Sequence, residues 1–171
     1  MSLDPLLSAP LEVQVHAVAG MIALLLGPAA LYRQRRDRWH KVIGYTWGLS
    51  ILVAALSSFL ITGLSLIGPF SPIHLLSIYA LWSIWVGLRS IRIGNIARHR
   101  GWMTGFYWHG VVIAASFTFL PGRILNETLF PQSPSLGYII IASGLAAIGL
   151  QAILARRNTT RASITKTTFF A

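Results

Sequence analysis

Five histidines are the residues of this 171-residue chain best suited to chemistry, and their spacing gives the first clue. His16 precedes His40 by 24 residues, and His74 precedes His99 by 25. In each couple the first imidazole lies near the start of an apolar stretch and the second just before the next stretch. Neutral imidazoles at matched depth on two helices can ligate a haem iron axially. The spacing offers His16 with His74, and His40 with His99, as pairs for a non-covalent b-type haem. His109 lies about 12 Å into a later apolar stretch at 1.5 Å per residue. An ionisable group at that depth is costly, so it counts as a candidate for ligation or proton relay. The plainer alternative is a neutral imidazole bonded to a Ser, a Thr or a carbonyl of a neighbouring helix, and Thr46, Ser50, Ser57 and Ser83 are available.

Charged residues form a second group. Glu12 and His16 are i,i+4 neighbours, and Arg123 and Glu127 would pair in the same way on a helix. Arg123 is expected to be held by Glu127 or Glu12, since Arg pairs well with carboxylates. Otherwise it would grip an anionic ligand, a lipid headgroup or a haem propionate. Cysteine is absent, which excludes disulfides, thiolate metal sites and covalently attached haem. No His-Glu-x-x-His, Gly-x-Ser-x-Gly or phosphate loop is present. Paired broken helices and a midplane acid are also missing, which leaves small-molecule transport as a third reading only.

The elements that must position these residues are set by hydropathy. The chain is 54% apolar and 11% charged, against about 25% charged in ordinary soluble domains. A helix needs about 20 apolar residues to span a bilayer, and five stretches reach that length: 11–32, 42–67, 72–91, 102–120 and 136–155. Thirteen of the 14 basic residues fall in three patches at the ends of, between or after these stretches. The patches are Arg33, Arg35, Arg36, Arg38 and Lys41; then Arg89, Arg92, Arg98 and Arg100; then Arg156, Arg157, Arg161 and Lys166. Only Arg123 lies elsewhere. Basic residues in short loops stay on the cytoplasmic side, which places the N-terminus outside and the C-terminus inside. The same pattern argues against nucleic acid as the partner of a chain with net charge +10. The first ten residues carry Asp4 and no Lys or Arg, so the first stretch is expected to be a retained helix rather than a cleavable signal.

The expectation is therefore an all-α polytopic integral membrane protein of about five helices. Residues 1–155 form a single transmembrane domain and 156–171 a polar, mobile cytoplasmic tail. The tight loop at 68–71 makes the second and third helices antiparallel neighbours, and the longer loop at 121–135 leaves the fifth helix peripheral to a bundle of the first four. His40 and His99 are expected in Arg-rich loops, at 33–41 and 92–101. Small residues with helical spacing, Ala19, Ala23 and Gly27 after His16, then Gly44 and Gly48, then Gly101 and Gly105 before His109, allow close helix approach in lipid. They place His16 and His109 on packing faces. Tyr32, Trp39 and Trp102 are expected in an aromatic belt. The two His couples also admit an internal duplication, with two parallel hairpins related by an axis along the membrane normal.

The segments HAVAGMIALLLGPAAL (16–31), WHKVIG (39–44), ARHRGWM (97–103) and FTFLPGRILN (117–126) resemble a bacterial family of predicted membrane proteins, domain of unknown function 2306. The resemblance runs over about residues 12–130 and rests on an His early in the first helix, a Gly-Pro at its inner end, and His-basic motifs before the second and fourth helices. Lys41 stands where an Arg is expected, and Tyr45 where a basic residue is frequent. The resemblance implies a helical bundle in the bacterial inner membrane and draws attention to His16, His40, His99 and Arg123; it implies no reaction. The leading expectation is a non-catalytic accessory or structural subunit of a larger membrane assembly, with lipids and other membrane subunits as partners. The alternative is a haem b or quinone electron carrier.

Overall fold

The computed structural model describes residues 2–33, 36–61 and 72–169, and every regular element among them is helical. A short α1 (Asp4–Leu7) leads into α2 (Leu11–Tyr32), followed by α3 (Arg38–Ser58), α4 (Pro72–Arg92) and α5 (Ile96–Phe106). A π-helical turn, Tyr107–Val111, joins α5 to α6 (Val112–Thr118). Then come α7 (Ile124–Leu129) and α8 (Leu136–Phe169). Among the described residues three helices are long and apolar enough to cross a membrane: Leu11–Tyr32, Arg38–Ser58 and Leu136–Leu154. At 1.5 Å per residue the 22 residues of α2 reach about 33 Å, enough for a hydrocarbon core about 30 Å thick.

Two helices begin earlier than hydropathy indicates, because caps rather than apolar residues start them. The Asp37 side chain accepts the backbone N–H of His40 at 3.0 Å. The Asn95 side chain likewise accepts that of Arg98 at 2.9 Å. Each satisfies one donor that a helix N-terminus leaves open. His40 and His99 are therefore first-turn residues of α3 and α5, not loop residues. α3 closes at Ser58, short of the expected residue 67; residues 62–71, with the loop at 68–71, lie outside the described residues, as do 34 and 35. At the other end of the chain α8 continues through Phe169, so the change at residue 155 is one of composition, not of backbone conformation.

Asp37 also accepts from Arg33, whose Nε lies 3.0 Å from Oδ1 and whose second nitrogen bonds Oδ2. The Arg33 hydrogen bond, then the His40 N–H, lowers the Asp37 pKa from 3.8 to about 2. A carboxylate whose folded pKa lies below its unfolded one stabilises the fold above the unfolded value and stops doing so as pH falls through the folded value. Asp37 is thus expected to stay ionised until about pH 2. A side-chain carboxyl NMR titration checks this, and a midpoint at the ordinary carboxylate value would contradict it.

α2 packs on α3, α3 on α4, α4 on α5, and the π turn on α2; α8 packs on α6. The small face of α2 is where expected: Ala19, Ala23, Gly27 and Ala30 are its buried residues. Pro28 sits in the same helix and has no N–H, so the Leu24 carbonyl loses its usual donor four residues on. The Tyr107 hydroxyl replaces it, donating to that oxygen at 3.1 Å. Trp47 of α3 donates its Nε1–H to the adjacent Ala23 carbonyl at 2.9 Å. These two bonds tie α3 and the π turn to α2, and Trp47, Phe106, Tyr107 and Met103 fill the core around them.

The glycine stripes of the later helices behave differently. A Cβ at Gly44, Gly48, Gly101 or Gly105 would meet nothing within 4 Å, so none of them marks a close approach. The close approaches are at Gly27 against the Tyr107 ring, Gly87 against Met103, Gly110 against Phe106, and Gly137 against the Phe119 carbonyl.

Candidate functional site

His16 is half-buried on α2, and its Nδ1 lies 2.8 Å from the Ala54 carbonyl of α3, with the Ser57 hydroxyl at 3.5 Å. A carbonyl only accepts, so Nδ1 carries the proton and Nε2 of the neutral ring holds the lone pair. His74 is buried on α4, with its ring stacked on Phe59 at 5.4 Å between centroids and 6° between planes. The neighbouring hydroxyls of Ser58 and Ser77 bond α3 to α4. Both imidazoles are therefore seated on the last turn of α3, His16 on the Ser57 side and His74 on the Ser58–Phe59 side. Consecutive helical residues stand about 100° apart, so the two rings approach that turn from different directions.

The other pair is held in another way. His99 donates from Nδ1 to the Gly87 carbonyl of α4 at 2.8 Å. His40 has a buried Nδ1 that finds no hydrogen-bond partner among the described residues. His109 departs furthest from expectation. It lies in the π turn, its Nδ1 donates to the Gly105 carbonyl one turn back at 3.0 Å, and the residue is exposed. The packing face predicted for it is thus an outer surface, and its partner is its own helix rather than a neighbour. The Gly101–Gly105 row that leads to it also faces open space, so small residues at helical spacing mark no packing face here.

The expected pairing of Arg123 with Glu127 or Glu12 does not form either. Arg123 and Glu127 are both exposed, and Arg123 caps α7 with extended backbone (φ −98°, ψ 144°). An i,i+4 pair needs both residues within the helix, and Arg123 stands outside it. Among the described residues the one ion pair is Arg33–Asp37. Glu12 lies half-buried in the first turn of α2 and pairs with neither. What organises this end instead is Asn126, fully buried, whose Nδ2 donates to the Phe119 carbonyl at 2.8 Å and to that of Pro134 at 2.9 Å. No group of three or more metal-ligating side chains occurs among the described residues.

Two cavities, of about 320 Å³ and 330 Å³, lie along α4 and α5 near the second basic patch, and Arg98 lines both. Charge patterning alone assigns that patch to orientation and gives it no site. Nor does it single out Trp47, Tyr107 or Asn126. Only Tyr107 has a legible signal, the Gly27-Pro28 step whose missing N–H requires an outside donor.

Over residues 13–160 the chain matches the model of a family described as Predicted membrane protein (DUF2306). No curated protein and no solved structure matches it.

Proposed function

The chain belongs to the predicted membrane protein family DUF2306, and from that premise we propose that it is an accessory or structural subunit of a larger bacterial membrane assembly, with no catalysis of its own. In this reading five spans cross the inner membrane, α4 and the α5–α6 run joining the three helices long and apolar enough to cross it, with the N-terminus outside and the C-terminus cytoplasmic. α2 to α6 form the bundle, and α8 stands at its periphery.

The observation that carries the reading is His109. Its ring is exposed midway along the α5–α6 run, where lipid would surround it, and its one proton is already given to Gly105. The remaining nitrogen needs a donor, and leaving a polar group unmet in an apolar setting costs about 1–3 kcal/mol. A hydroxyl, amide or indole N–H from a partner subunit would supply that donor. The test is migration of the protein on a native gel after extraction in mild detergent. The wild-type chain is expected in a species of defined stoichiometry with a second membrane protein, and His109→Leu is expected to release it with an unchanged melting temperature. A wild-type chain that runs alone would overturn the proposal.

The haem or quinone carrier keeps one observation in its favour. His16 and His99 each give their Nδ1 proton to a carbonyl of a neighbouring helix, the arrangement that orients a ligating imidazole. His16 with His74, and His40 with His99, would then be the ligands. A reducible Soret band in the purified protein, lost in His16→Ala and His74→Ala, would favour this reading over the first; a colourless protein would remove it. Small-molecule transport, the third reading, predicts a water-accessible path near His109; failure of aqueous thiol reagents to reach a cysteine placed there would remove it.

A further inference from the structure

We propose that the groove between α4 and α5 binds one anionic phospholipid, with Arg89 and Arg98 holding its phosphate. The second basic patch contains four arginines, but the fold treats them unequally. α4 ends at Arg92, Gly94 turns the chain with φ +73°, and Asn95 caps α5. This short connection brings Arg89 and Arg98 to the wall of one cavity of about 320 Å³, together with Trp82, Trp85, Val86 and Ile93. Arg92 and Arg100 line neither cavity.

Three features fit an anionic amphiphile. The Arg89 guanidinium lies 5.4 Å from the Trp85 ring centroid; a guanidinium stacked through its face keeps its edge N–H groups for an anion. Neither Arg89 nor Arg98 has a carboxylate partner, since Arg33–Asp37 is the one ion pair among the described residues. Beyond the two arginines the wall is apolar except for Ser90, whose hydroxyl is already given to the Val86 carbonyl at 2.7 Å, and Trp82 lies seven residues before Arg89, about 10 Å deeper along the helix. The second cavity, about 330 Å³, shares Arg98 and runs along Tyr79, Trp102, Gly101 and Gly105. Both glycines leave open space where a side chain would stand. A largely apolar groove and a shallower, more open apolar depression that meet at Arg98 match a phosphate with two acyl chains better than a free inorganic ion. The site does not depend on any protein partner.

The test is native mass spectrometry of the full chain titrated with palmitoyl-oleoyl phosphatidylglycerol. It compares the double variants Arg89→Gln/Arg98→Gln and Arg92→Gln/Arg100→Gln, which remove the same charge. The first is expected to weaken binding roughly thirtyfold, taking the contribution of two basic residues near an anionic lipid, and the second less than about threefold. Equal losses in both would mean diffuse attraction and would overturn the site. Displacement of the lipid by millimolar inorganic phosphate would assign the groove to a free anion instead, and overturn the lipid. Should the first variant fail to fold, brominated lipids decide with the wild-type chain. Brominated phosphatidylglycerol is expected to quench Trp82 and Trp85 fluorescence well below the level reached with brominated phosphatidylcholine, the difference shrinking in Trp82→Phe/Trp85→Phe. Equal quenching by the two lipids would overturn the proposal.

Discussion

Gly137→Ala is expected to lower the melting temperature of the detergent-purified protein sharply, by an amount corresponding to about 3 kcal/mol. A Cβ there would stand 1.9 Å from the Phe119 carbonyl oxygen and 2.2 Å from Asn126 Nδ2. Neither obstacle can swing aside. The first is backbone, and the second is a fully buried amide fixed by two hydrogen bonds to carbonyls. Room for the methyl group comes only from moving α8 away, which strands the carbonyls that Asn126 satisfies. Gly87→Ala provides the contrast. Its Cβ would lie 2.2 Å from Met103 Cε, the far end of a flexible thioether that fills irregular space and can turn away. A cost below about 1 kcal/mol is expected there. Thermal unfolding of the two variants side by side is the measurement, and a Gly137→Ala shift no larger than that of Gly87→Ala would contradict the docking of α8 on Phe119 and Asn126.

The second large effect concerns the proline of α2. Tyr107→Phe is expected to cost about 1–3 kcal/mol, because it leaves the Leu24 carbonyl without a donor inside the bundle. The same substitution in a Pro28→Ala background should cost much less, since alanine at that position restores the N–H that reaches back to Leu24. A double-mutant cycle on unfolding free energy isolates this coupling. Equal costs in the two backgrounds would mean that the hydroxyl does not replace the missing donor. Gly27→Ala tests the same contact sterically, because its Cβ would fall 2.0 Å from Tyr107 Cε2 and displace the ring that carries the hydroxyl.

Much of this is readable without coordinates. The membrane class follows from composition, and the family follows from the motifs around His16, His40 and His99. The packing face of α2 follows from Ala19, Ala23 and Gly27, small residues that let backbones approach. The caps Asp37 and Asn95 are also readable in principle, as Asx residues just ahead of helices. Hydropathy misses them because it marks where apolar residues begin, whereas a capped helix begins several polar residues earlier.

The site is less readable. Glycine spacing places His109 with Gly101 and Gly105 on one packing face, but a Cβ at either glycine would meet nothing within 4 Å, and His109 is exposed beside them. Spacing likewise pairs Arg123 with Glu127, whereas the backbone at Arg123 is extended. Arg89, Arg92, Arg98 and Arg100 are equivalent as charges, yet the Gly94 turn selects only two of them for one cavity wall.

Composition and spacing thus suffice to show that this chain is apolar enough for a membrane, which family it belongs to, and where its small residues invite helix contact. Those properties are local. Which imidazoles face neighbours, which one faces outward, and which arginines share a groove are settled by how the helices pack. A helix that is apolar all round has no polar stripe to mark its outer face. Orientation there depends on contacts between residues as far apart as Leu24 and Tyr107, and one-dimensional spacing does not encode them.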